Sequence, residues 1–379
     1  MSAPTSSRLR ELAVVFGTLG VIGFGGPAAH VALTRREVVE RRDWLTDAVF
    51  VDYVGLTSLI PGPNSTELVM LIGRRRAGIA GLIVAGTAFI LPAALIVLAL
   101  AWAYVTWGAT PTGEALLLGI QPAVVALVGW TLLGLARTAL RGPLLATIGF
   151  GASVAWLLGV NELLLLVVGA AIVAAARIRA PTTVAAIAPL PVVADLATRV
   201  ASADLPALFG VFLKVGAVLY GSGYVLIAFL RGDLVDRLGW LTDAQLLDAV
   251  AVGQVTPGPL FTTATFVGYL VLGVPGAIVA TIAIFLPAFV LVALLGPLAD
   301  RVRERPLTSA LLDGVNAAAI GLIAAVTLQL GAAALRGPLT VAIALVTVVL
   351  LAWGRLPSVA IVGLAACAGL GAAAIGIGA

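Results

Sequence analysis

Charged and chemically reactive side chains are scarce in this chain of 379 residues. It has one cysteine (Cys367), one histidine (His30) and one lysine (Lys214), and only 11% of its residues are charged. A lone cysteine excludes a disulfide framework and a cysteine-based metal site. There is no cluster of metal ligands, no Ser/His/Asp set and no nucleotide-binding loop. That pattern argues against an enzyme, implies no cofactor and leaves no route for direct ATP coupling. A net charge of +4 does not suggest nucleic acid. What fills the chain instead is apolar: 61% of residues, with a mean hydropathy of +1.15. Soluble domains average roughly 45–50% apolar and about 25% charged, so this is an integral membrane protein whose partner is the lipid bilayer. No cleavable leader is expected, because Arg8 and Arg10 run straight into a segment without a small-residue cleavage site.

The chain also repeats itself. Trp44-Leu45-Thr46-Asp47 returns as Trp240-Leu241-Thr242-Asp243, and Pro61-Gly62-Pro63 as Pro257-Gly258-Pro259, both 196 residues later. Beyond these motifs the offset is 195: Gly73, Gly78 and Gly81 match Gly268, Gly273 and Gly276, and Arg141-Gly142-Pro143-Leu144 matches Arg336-Gly337-Pro338-Leu339. One deletion explains the change. The expected organisation is a first transporter repeat over 1–180, a linker over 181–205 and a second repeat over 206–379. In an apolar chain, a two-fold repeat with corresponding Gly/Pro breaks points to a transporter with its site between the halves.

Six hydrophobic stretches occur in each half: 11–34, 44–73, 79–107, 114–139, 142–159 and 161–176, then 206–230, 242–272, 276–298, 309–335, 338–353 and 357–378. The second of each set is interrupted by Pro-Gly-Pro and is long for one span. Proline removes a backbone donor and glycine lets the chain turn, so a re-entrant hairpin of two half-helices fits better. Each half then crosses five times and the halves are inverted. This gives an all-α polytopic fold of two homologous halves in an inverted repeat. It places sixteen arginines, including Arg35–Arg42, Arg74–Arg76 and Arg301–Arg305, on one face and five, including Arg8 and Arg10, on the other. The positive-inside tendency makes the first face cytoplasmic and both termini external. The charged run 35–43 reads as a solvated cytoplasmic loop, with collection of anions at that mouth as the alternative.

Four breaks lie at corresponding depths: Gly23-Phe24-Gly25-Gly26-Pro27, Pro61-Gly62-Pro63, Tyr220-Gly221-Ser222-Gly223 and Pro257-Gly258-Pro259. Exposed backbone is prohibitive in hydrocarbon, so such breaks survive only against protein or a polar cavity. Asn64, Ser65 and Thr66 follow the first Pro-Gly-Pro, and Thr262 and Thr263 the second. Two half-helix N-termini aimed at one midplane point form an anion site. Simple close packing of glycine-rich helices is the competing account.

At these residues the chain resembles the chromate ion transporter (CHR) family in its long two-domain form. The resemblance rests on Phe24-Gly25-Gly26-Pro27 with His30, Trp44 with Asp52, Pro61-Gly62-Pro63, and the counterparts Phe212-Leu213-Lys214-Val215-Gly216, Tyr220-Gly221-Ser222-Gly223-Tyr224 and Pro257-Gly258-Pro259. It implies export of chromate, a sulfate-like divalent oxyanion, across a prokaryotic inner membrane by the proton-motive force. Uptake or exchange of sulfate or another oxyanion, or a passive anion channel, are the alternatives. A homodimer is left open.

Gly25, Gly26, Asn64, Ser65, Thr66, Ser222, Thr262 and Thr263 are the candidate substrate contacts, together with Lys214. A lysine inside an apolar run costs at least about 2.5–3.5 kcal/mol on insertion scales, so it needs a ligand or a partner. It could meet the oxyanion, snorkel to the interface, or pair with Asp248 or Glu67. The candidate proton carriers are the repeat mates Asp52 and Asp248, with Glu67 and His30. A buried carboxylate can exchange a proton near neutral pH; capping a broken helix or pairing with an arginine is the alternative for either Asp. His30 is five residues from Arg35, and an interfacial or packing role is its alternative.

Overall fold

The computed structural model describes residues 5–24, 26–57, 60–177, 203–219, 223–295 and 306–376. Among them there is no strand. The first repeat supplies α1 (Thr5–Ile22), α2 (Gly26–Arg35, continued by a π-helical turn Arg36–Glu40), α3 (Asp47–Thr57), α4 (Asn64–Trp107), α5 (Pro111–Ala139), α6 (Pro143–Leu157) and α7 (Glu162–Arg177). The second supplies α8 (Leu205–Val218), α9 (Val225–Leu230, continued by a π-helical segment Arg231–Arg237), α10 (Asp243–Val255), α11 (Thr263–Leu295, after a 3-10 turn Leu260–Thr262), α12 (Pro306–Ala334), α13 (Pro338–Trp353) and α14 (Ser358–Ala374). Four helical segments, 64–107, 111–139, 260–294 and 309–334, are long and apolar enough to cross a membrane, as expected of a multi-pass membrane protein.

α4 and α11 are each two helices folded back on one another. The reversal falls at Ala77-Gly78 (φ −146° and 64°) and at Leu272-Gly273 (φ −139° and 63°). A positive φ at Gly78 and Gly273 is a conformation that only glycine adopts without strain. The arms touch through Gly73 and Gly81, and through Gly268 and Gly276; a Cβ on any of the four would overlap the backbone of its opposite number. The first arm of α4, residues 64–76, is about 20 Å long and α3 about 17 Å at 1.5 Å per residue. Neither reaches across a hydrocarbon core of about 30 Å.

The 11–34 stretch, expected to cross once, does not. α1 ends at Ile22 and α2 begins at Gly26. Trp44, beyond the far end of α2, packs edge-on against Phe16 of α1, ring centroids 6.3 Å apart. Arg8, at the start of α1, donates to the Arg76 carbonyl at 3.4 Å and lines one cleft with Trp44, Arg75 and Arg76. α1 therefore goes in and α2 comes back, so this stretch is itself a hairpin. Placing Arg8 and Arg10 opposite Arg74–Arg76 is overturned for the same reason. Arg301–Arg305 lie outside the described residues, as does nearly all of the 181–205 linker.

The chain forms two compact units that cut across the repeats: Met1–Ala99 with Asp204–Gly223 and Thr256–Arg305, and Leu100–Ala203 with Tyr224–Val255 and Pro306–Ala379. In the first, Gly62 N–H donates to the Leu219 carbonyl at 2.8 Å, and Gly258 N–H donates to the Gly23 carbonyl at 2.9 Å. Gly62 and Gly258 are repeat mates, and so are Gly23 and Leu219, so the two bonds are reciprocal. Gly62 against Ala288 and Gly258 against Ala93 form a second reciprocal pair. In the second unit Gly119 packs on Ala365, and Gly314 on Ala170, again with the halves exchanged. Residue i meeting j while the mate of i meets the mate of j is the mark of a two-fold relation. Within each repeat the local structure is also copied: Arg35 pairs with Glu40 and Asp47, and Arg231 with Asp236 and Asp243.

A side chain forced between the hairpin arms has nowhere to go. Gly81→Val is expected to lower the stability of the purified protein by about 1–3 kcal/mol or more, the usual cost of overpacking. Gly151→Ala, where a Cβ meets nothing within 4 Å, is expected to leave it unchanged or slightly raised, since alanine is the better helix former. Thermal unfolding in detergent measures both.

Candidate functional site

The first Pro-Gly-Pro carries a turn at Gly62 (φ 140°) and opens α4. The Pro63 carbonyl receives the Thr66 and Glu67 N–H groups at 2.7 and 3.2 Å. On this first turn Asn64 Oδ1, Thr66 Oγ1 and both Glu67 carboxyl oxygens are buried without a hydrogen-bond partner. Glu67 itself is 0% exposed, and its Oε1 lies against Gly62 so closely that a Cβ there would overlap it. Such a group costs about 1–3 kcal/mol when left unpaired, and more if charged. Four such atoms on one turn make this the candidate place for a polar guest.

Ser65 is tied differently. His30 on α2 is buried; its Nε2–H donates to the Gly23 carbonyl at 2.8 Å, and its Nδ1 then accepts from the Ser65 hydroxyl at 3.2 Å. The tautomer follows from the carbonyl, which can only accept. The Phe89 ring stands edge-on to the imidazole at 5.5 Å. His30 thus joins the first break to the first turn of α4, deeper in the fold than its sequence distance from Arg35 suggested.

The second Pro-Gly-Pro (Gly258 φ 92°) is closed upon itself. Thr262 Oγ–H donates to the Pro259 carbonyl at 2.9 Å, and Thr263 Oγ–H to the Leu260 carbonyl at 2.8 Å. The single deletion separating the 196 and 195 offsets falls here. Three residues of 3-10 helix rise about 6 Å, as do four of α-helix, so the 3-10 turn Leu260–Thr262 absorbs the missing residue. The two helix starts are therefore unequal: one presents unpartnered polar atoms, while the other has tied its hydroxyls to its own backbone.

Lys214 on α8 is buried at 4% exposure, which excludes snorkelling to an interface. Two residues on, Gly216 meets the Ile284 backbone of α11 with no room for a Cβ. Its repeat mate Thr18 is exposed and donates to the Val14 carbonyl. Neither Glu67 oxygen receives a hydrogen bond, so the suggested Lys214–Glu67 pair is not formed. Gly25 and Ser222 lie outside the described residues; Gly26 opens α2. The repeat mates Asp52 and Asp248 also part company. Asp52 is exposed on α3, whereas Asp248 is buried on α10. In the second unit Asp248 accepts from the Tyr104 hydroxyl at 2.8 Å and from Gln121 Nε2 at 2.9 Å. Sequence reading missed both donors. Gln121, the only amide side chain on α5 and set in its apolar middle, was the available signal.

The chromate transporter family model matches residues 10–175 and again 206–371. The chain belongs to the chromate transporter family. This transporter is 36% identical to the chromate transport protein of Cupriavidus metallidurans over 92% of its own length and 89% of that protein. It is 34% identical to a probable chromate transport protein of Synechococcus elongatus, over 96% and 95%. It is 33% identical to the chromate transport protein of Pseudomonas aeruginosa, over 87% and 82%. No solved structure matches it.

The Asp248 triad of this transporter can be tested by exchanging donor and acceptor. Asp248→Asn removes a charged acceptor from two donors and is expected to destabilise by about 1.5–3 kcal/mol. Adding Gln121→Glu restores a donor–acceptor match and should recover at least half of that loss. A double-mutant cycle on thermal unfolding gives the coupling.

Proposed function

We propose that this protein is a secondary active transporter that exports chromate across a prokaryotic inner membrane, with its oxyanion site at the first Pro-Gly-Pro helix start and Glu67 as the proton-linked group. The carrying observation is the set of buried, unpartnered atoms of Asn64, Thr66 and Glu67 on one turn. Lys214, from the neighbouring repeat, supplies the positive charge, and a point charge suits a tetrahedral dianion.

An inverted repeat supports alternating access. Gly86 packs on the ring of Phe289, and Arg74, beside the 77–78 turn, donates to the Val292 carbonyl at 2.6 Å and to that of Ala293. Val292 is about 28 Å of helix from the 272–273 turn. The two turns accordingly belong on opposite faces of a bilayer core of about 30 Å. Moving Arg8 and Arg10 to the side of Arg74–Arg76 strengthens the arginine bias that marks the cytoplasmic face.

Glu67 fixes the sense of the proton linkage. An ionised carboxylate within about 4 Å of a dianion costs roughly 8 kcal/mol at an effective dielectric of 20. The oxyanion therefore enters beside the neutral acid, whose O–H can donate to it, and anion and proton bind together rather than in exchange. A dianion moving outward with one proton still carries one negative charge, which a potential negative inside expels with about 2.3 kcal/mol per 100 mV. The electrical part of the proton-motive force then drives export.

Sulfate, which stays a dianion throughout the range, is the clean probe. Its affinity for the purified transporter is expected to rise as pH falls, by up to tenfold per unit. Glu67→Gln should bind at all pH values with the dependence flattened. Other titratable groups on the elements around Glu67 are His30 and Arg35 on α2, Asp47, Asp52 and Tyr53 on α3, Lys214 on α8, Tyr269 on α11, and Arg74–Arg76 and Tyr104 on its own helix. His30→Gln is the control, and should retain the dependence. An unchanged slope in Glu67→Gln would refute the assignment. Saturable counterflow in proteoliposomes separates a transporter from a channel.

A further inference from the structure

About 22 Å along α1 from the break at Gly23, the first unit has a cleft of about 380 Å³ lined by Arg8, Trp44, Leu45, Ile72, Arg75 and Arg76. That volume falls in the range of roughly 300–1,000 Å³ typical of small-molecule sites. Three arginines around one cavity repel one another, and only part of their charge is answered from within. Arg76 pairs with Glu11 and lies over the Trp44 ring at 4.0 Å, which fixes its plane. Its Nε is nevertheless buried without a partner. Arg8 uses one N–H on the Arg76 carbonyl, and Arg75 is exposed. Three guanidinium groups against one carboxylate leave two positive charges.

The duplication provides an internal control. Trp44, Leu45 and Ile72 correspond to Trp240, Leu241 and Val267, so the apolar floor is kept in the second repeat. Arg8, Arg75 and Arg76 correspond to Asp204, Leu270 and Val271. The same kinked hairpin is built in the second repeat without any of these arginines, so the fold does not require them. We infer that this cleft is a second anion site, separate from the helix-start site, which takes a phosphate-type tetrahedral dianion between the forks of Arg8, Arg75 and Arg76. Arginine forks match such oxygens in pairs. The same chemistry is offered by a free oxyanion and by the phosphate of an anionic lipid headgroup.

The test uses the full-length protein in phosphatidylcholine nanodiscs, titrated calorimetrically with inorganic phosphate. Arg8→Gln/Arg75→Gln empties the cleft of two forks and leaves Arg76 on Glu11 and Trp44. Arg10→Gln/Arg36→Gln removes the same charge from two exposed arginines that do not line it. The parent and the control pair should show one phosphate-binding event that the cleft pair loses or weakens by tenfold or more. Equal binding by the two double variants overturns the proposal. Repeating the titration in discs containing phosphatidylglycerol separates the sources: competition by the lipid assigns the site to a headgroup, and undiminished phosphate binding assigns it to a free oxyanion. Thermal unfolding of both pairs shows whether either has lost its fold, and Arg75→Gln alone, at an exposed position, repeats the comparison if so. Since the helix-start site is left intact in every variant, its failure and that of the cleft are read independently.

Discussion

Backbone N–H and C=O groups have no water to turn to inside a bilayer, and a helix that breaks there must find other partners for them. In this transporter each Pro-Gly-Pro glycine gives its N–H to the break that ends the first helix of the other repeat: Gly62 to Leu219, Gly258 to Gly23. Neither repeat can close its own breaks in this way. The second copy thus supplies the acceptors that make the first copy's broken helices tolerable. Glycine is required at these turns twice over, once for the positive φ and once because Ala288 and Ala93 press against the missing Cβ.

On that shared frame the two copies have diverged where the chemistry lies. The first helix start holds a carboxyl, a hydroxyl and an amide oxygen without partners, while the second, shortened by one residue, wound into a 3-10 turn and consumed its own hydroxyls. Lys214 is buried where Thr18 is exposed. Asp248 is buried with two donors where Asp52 is exposed. A symmetric frame carrying an asymmetric lining needs only one set of polar groups to be desolvated, which limits the energetic cost of placing charge in a membrane.

Much of this was legible before any coordinates. Identical words at a constant offset survive whatever the packing, so the duplication, the apolar class, the helical-hairpin character of the Pro-Gly-Pro stretches and the family could be read from residues alone. The chemistry of Asn64, Thr66 and Glu67 could be named too, because polar residues next to a break in an apolar run are rare enough to stand out. Arg8 shows where such reading fails. A break inside an apolar stretch does not say whether the chain continues or returns, since both bury the same side chains, and only the packing of Trp44 on Phe16 shows that α1 and α2 double back.

Which carboxylates are buried was likewise beyond sequence. Asp52 and Asp248 stand at equivalent positions nine residues before equivalent motifs, and nothing local distinguishes them. Their difference comes from neighbours remote in the chain, Tyr104 and Gln121, which only tertiary contact delivers. The sequence by itself determined the elements, their breaks and their two-fold repetition, because these follow from short-range propensity and from counting. The tertiary structure decided which break closes on which, which polar atoms remain without partners and which side of the fold each arginine reaches, because those depend on long-range packing.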